Sequence, residues 1–98
     1  MTEEKERSQA VDLTALEIDQ LIGLFIGILS AKAWQYMGIR LTPGKIEAEN
    51  DMGKASMAID CVVFLTEKIA PNLPAEEAGR LREMVADLQI NYVKRVRL

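Results

Sequence analysis

Apolar residues fall along this chain in three blocks with helical spacing, separated by two clusters of turn-forming residues. In the first block, Leu16, Leu21, Leu24, Phe25, Ile28 and Leu29 recur at helical spacing. Asp12 or Thr14 is placed to cap its start, and Glu17, three residues after Thr14, matches the capping-box spacing. Gly38 is a natural stop, because glycine accepts the left-handed conformation just past a helix end. Met52, Ala55, Ile59, Val62, Leu65 and Ile69 carry the second block, and Leu81, Met84, Val85, Leu88, Tyr92 and Val96 the third. Thr42-Pro43-Gly44 and Pro71-Asn72-Leu73-Pro74 punctuate the chain between them. Residues 45–50 either prolong the first turn or already begin the second helix. The pattern predicts an all-α protein in which three helices, over about 14–38, 51–69 and 75–95, are joined by short turns. They make an antiparallel helical bundle in a single domain over 13–98, preceded by a flexible acidic tail over 1–12.

An amphipathic helix in such a bundle needs one apolar stripe. The third helix obeys this, but the first two exceed it. Every residue from Leu21 to Leu29 is apolar or glycine, and from Met57 to Leu65 only Asp60 is not apolar. One amphipathic neighbour cannot cover two such helices, so the missing cover is expected from a second copy, a different protein or a lipid surface. Gly23, Gly27 and Ala31 lie four apart on one face, where small side chains let another helix backbone approach closely. That face fits either tight packing in the core or a symmetric dimer contact, and the two-fold dimer is the commonest oligomer.

Composition narrows the partner. The chain has 98 residues, 49% of them hydrophobic and 28% charged, with a net charge of −3. An acidic balance does not suit phosphate neutralisation, so no nucleic-acid partner is expected. The longest charge-free run in the first half, Gln20 to Ala31, is shorter than the roughly 20 residues of a membrane span. No signal peptide is visible in the acidic start, and the single cysteine, Cys61, fits a reducing compartment, so a cytoplasmic location is expected.

Candidate chemistry is sparse. The chain has no histidine, which removes the usual general base and the commonest metal ligand. No catalytic residue, cofactor or metal is therefore predicted, and the protein is not expected to be an enzyme. Cys61 lies in an apolar run with no adjacent cation, and is expected to be a buried structural thiol. Asp60 must face solvent, sharing a helix face with Ser56 and Glu67, or find a partner in Arg80, Arg82 or Arg40. Trp34 suits the core, and Tyr36 fits either core or contact surface. Gly23, Gly27, Ala31, Trp34, Tyr36 and Asp60 are thus the candidate interface residues.

Ala33-Trp34-Gln35-Tyr36-Met37-Gly38, the run Ala58 to Lys68, Asn72-Leu73 and the run Asp87 to Val93 together resemble the bacterial family catalogued as domain of unknown function 1844. The most specific part is Ile59-Asp60 followed by Leu65-Thr66-Glu67-Lys68 and Asn72-Leu73. The resemblance covers about residues 17–96. It implies a short bacterial protein with this helix order, and it carries over no catalytic or binding residue. Together with the excess apolar surface, the expected function is a homo-oligomeric helical interaction or scaffold module. Its partner is a second copy, with an unidentified protein partner also open. The alternative is a peripheral membrane-associated protein inserting the Leu21–Leu29 region, to which the acidic balance is poorly suited.

Overall fold

A computed structural model describes residues 12–97 and contains three α-helices: α1 (Ile18–Tyr36), α2 (Met52–Ile69) and α3 (Ala75–Arg97). Among the described residues there is no strand. The expected tail over 1–12 lies, apart from Asp12, outside the described residues.

The first helix starts later than its apolar pattern suggests. Leu13–Ala15 form a separate 3-10 turn, and Leu16 and Glu17 are then extended, with ψ of 147° and 157°. Local hydrogen bonds hold this break. The Asp12 carboxylate accepts from both the backbone N–H and the hydroxyl of Thr14, at 3.0 and 2.6 Å. The Glu17 N–H donates to the Gln20 side chain at 3.1 Å. The cap therefore falls at Glu17 with Gln20, one turn beyond the expected Thr14 with Glu17.

Gly38 ends α1 as expected. Its φ is +79°, its N–H donates to the Gln35 carbonyl, and the Ile39 N–H donates to the Trp34 carbonyl, both at 3.0 Å. These two bonds make the Schellman arrangement, which satisfies carbonyls that a helix end otherwise leaves free. The turn at Thr42-Pro43-Gly44 also forms, closed by a 3.0 Å bond from the Lys45 N–H to the Thr42 carbonyl, with Gly44 at φ +85°. Residues 45–50 remain outside the helix. Asp51 caps α2 by accepting from the Lys54 N–H at 3.0 Å, and its own N–H donates to the Tyr36 carbonyl at 2.9 Å. That last bond ties the start of α2 to the end of α1 and makes the pair an antiparallel hairpin.

After α2, Ala70–Asn72 form a 3-10 turn carrying Pro71, and α3 begins directly after Pro74. Glu76 and Glu77 in its first turn and Lys94, Arg95 and Arg97 in its last complement the helix dipole.

Helix α2 is the centre of the fold. It packs against α1 on one side and α3 on the other, while α1 and α3 scarcely meet. Ile26, Ala33 and Met37 from α1 and its end, Ala55, Ile59 and Val62 from α2, and Val85 and Leu88 from α3 form the core. The extents are 53 × 39 × 19 Å. The shortest extent is well under the other two, so the helices lie in a flat array with α2 between its neighbours. Three helices laid out this way leave broad faces uncovered. Val96, expected on the buried stripe of α3, is exposed, as are Ile90 and Val93.

Candidate functional site

Only part of α1 is used by the core. Ile26, Ser30 and Ala33 are buried, and the Ser30 hydroxyl donates to the Ile26 carbonyl at 2.6 Å. The opposite arc carries Leu24, Phe25 and Ile28, which are 38%, 40% and 50% exposed. Gly23 and Gly27 are exposed on the flank of the same arc, with nothing within 4 Å of where a Cβ would stand. Ala31 is half-buried. The glycine stripe is therefore not a core contact of this chain. Gly23 instead borders an open trough of about 380 Å³ between α1 and the start of α3, where Leu73, Leu81 and Met84 supply an apolar wall.

Helix α2 has a second apolar stripe. Ala55, Ala58, Ile59, Val62, Thr66 and Ile69 are buried against its two neighbours. Met57, Cys61 and Phe64, at four- and three-residue steps, point the other way, and Met57 and Phe64 are 66% and 60% exposed. Cys61 is exposed with them, which overturns the expectation of a buried thiol. The reason is angular: an apolar neighbourhood in sequence wraps around the whole helix, and Cys61 falls on the side that neither α1 nor α3 covers. Leu29 of α1 joins Asp60, Cys61, Phe64 and Leu65 around an open apolar groove of about 340 Å³.

Asp60 is exposed on the rim of that groove. The ion pair between α2 and α3 is made instead by Glu67 and Arg82, with both carboxylate oxygens accepting from the guanidinium at 3.3 Å. Trp34 is half-buried and packs on the core, in keeping with expectation. Tyr36 is half-buried between two ammonium groups, Lys32 at 4.7 Å and Lys54 at 5.7 Å from its ring centre. Lys68 lies 5.0 Å over the Phe64 ring. The interface candidates therefore divide. Gly23, Gly27 and Asp60 are on open surface, while Ala31, Trp34 and Tyr36 are partly engaged within the chain.

Met57 and Phe64 were not singled out by sequence, although a signal for them existed. The run from Met57 to Leu65 contains two apolar stripes at helical spacing, and one helix face cannot bury both. Ile46 is 94% exposed on the loop before α2, where no periodic pattern could mark it.

Titration at the site is modest. The Lys45 ammonium, 2.6 Å from Glu49, holds that carboxyl below its ordinary value, and Glu49 in turn holds Lys45 above its own. Hydrogen bonds from Thr14 lower Asp12. Among the described residues no group of three acidic or cysteine side chains is placed to hold a metal ion, and no helix is long and apolar enough to cross a membrane.

The molecule is thus a small all-helical protein whose most developed surface feature is uncovered apolar area on α1 and α2. Over residues 20–94 it matches the family model described as Domain of unknown function (DUF1844), and the chain belongs to that family. No curated protein and no solved structure matches it.

Proposed function

We propose that this protein is a homo-oligomeric helical interaction module, without catalysis of its own, that uses the uncovered faces of α1 and α2 to associate with a second copy. The observation that carries this reading is the exposure of Leu24, Phe25 and Ile28 beside Gly23 and Gly27 on the same helix. Large apolar side chains and small ones adjoin there, as in a surface that receives another helix. Large apolar side chains left in water forfeit free energy that burial recovers. For the exposed part of each of Phe25, Ile28, Met57 and Phe64 the gain is on the order of 1 kcal/mol. Scaffolding of a further protein would use whatever surface the assembly leaves open.

The test is the absolute mass in solution, by light scattering after size exclusion. A mass of two or more chains supports the reading. A single-chain mass at all accessible concentrations overturns it, and co-sedimentation of that monomer with liposomes would identify a lipid surface as the cover instead.

A further inference from the structure

Resting on that oligomeric reading, we infer that the second copy docks antiparallel along α1, about a two-fold axis level with Leu24 and Phe25, with Glu17 of each chain paired to Lys32 of the other.

The inference comes from a symmetry in the exposed arc. Leu21, Leu24, Ile28 and Lys32 follow one another at steps of three, four and four, which keeps them on one helix face, and Glu17 caps that helix four residues before Leu21. Phe25 adjoins Leu24 on that face. Measured from the midpoint of Leu24 and Phe25, Leu21 and Ile28 are equally far in opposite directions, and so are Glu17 and Lys32. An antiparallel two-fold superposes such positions. Leu21 of one chain then meets Ile28 of the other, Leu24 and Phe25 meet at the axis, and each acidic end faces a basic end. Parallel pairing would instead set Glu17 on Glu17 and Lys32 on Lys32.

Exposure agrees with the charge pattern. Glu17, Leu24, Phe25 and Ile28 are exposed, and Leu21 and Lys32 are half-buried. Neither Glu17 nor Lys32 is in a salt bridge among the described residues. Lys32 rests on the Tyr36 ring, from which its long side chain can turn. Gly27 lies on the flank of the arc with nothing near its Cα side, so it presents no obstacle to a close approach of the two backbones.

The experiment places single cysteines in a Cys61→Ser background and couples mass measurement to oxidative cross-linking. Leu21→Cys and Ile28→Cys chains should cross-link when mixed and scarcely at all when oxidised separately. Separately, Glu17→Lys and Lys32→Glu should each weaken dimerisation by about three- to tenfold, and the double reversal should restore it. Wild type at one chain would overturn the oligomeric reading itself. Wild type at two chains with homotypic cross-links at both positions, or with no recovery in the double reversal, would overturn the antiparallel register alone. Glu17 caps α1 and Lys32 rests on the Tyr36 ring, so the melting temperature of each charge variant is measured beside its dimerisation, and the cross-linking pattern decides the register wherever that temperature falls.

Discussion

A Cβ placed on Gly38 would stand 2.8 Å from the carbonyl oxygen of Glu49. The residue that ends α1 is thus also a point where the return loop before α2 lies close against it. Two demands coincide at this glycine: a φ of +79° that disfavours any other residue, and a backbone oxygen that leaves no room for a side chain. Gly38→Ala should therefore destabilise the fold by about 2 kcal/mol or more, through the left-handed conformation and the clash together. Urea unfolding checks this, and a variant of wild-type stability would mean that the loop can move away freely.

Thr66 invites the opposite outcome. It is 1% exposed, and its hydroxyl oxygen has no hydrogen-bond partner among the described residues. A buried hydroxyl without a partner costs free energy, and valine has nearly the same shape without that cost. Thr66→Val should raise stability by about 1 kcal/mol. A fall of similar size in the unfolding midpoint would show that the hydroxyl is in fact satisfied.

The Lys45–Glu49 pair makes the loop between α1 and α2 sensitive to pH. Glu49 titrates below its ordinary value of 4.5 in the folded chain, so its contribution is present above that value and fades as pH falls through the folded one. Lys45 is raised above 10.5, so its contribution is present below that value and fades as pH rises through the folded one. Glu49→Gln should lower the melting temperature at neutral pH and converge with wild type in acid. Parallel melting curves at every pH would rule out the coupling.

Gly27→Leu separates the helix from its assembly. A Cβ at this position has nothing within 4 Å among the described residues, and leucine is a better helix former than glycine by roughly 0.5–1 kcal/mol. The monomer should therefore become more stable while association weakens, because the leucine fills space that a partner backbone would occupy. Thermal unfolding and mass against concentration measure the two effects independently. An unchanged association constant would remove the glycine stripe from the contact.

Short-range features were legible in the sequence. The stop at Gly38, the turn at Thr42-Pro43-Gly44 and the break at Pro71 and Pro74 all depend on a few adjacent residues. Backbone preference and local hydrogen bonding act over that range, so the residues that set them are neighbours in the chain. The late start of α1 was in principle readable as well, but two capping arrangements compete there, and only the folded geometry shows Gln20 serving Glu17.

Burial belongs to another scale. Cys61 and Val62 are adjacent and both lie in an apolar run, yet one is exposed and the other fully buried. What separates them is about 100° of helix rotation and the positions of α1 and α3, which approach α2 from two sides and leave the third open. The sequence by itself determined that three helices form and that two of them carry more apolar surface than a single bundle needs. Only the tertiary structure decided which of those residues remain in contact with water, because that depends on where neighbouring helices stand and not on what adjoins each residue in the chain.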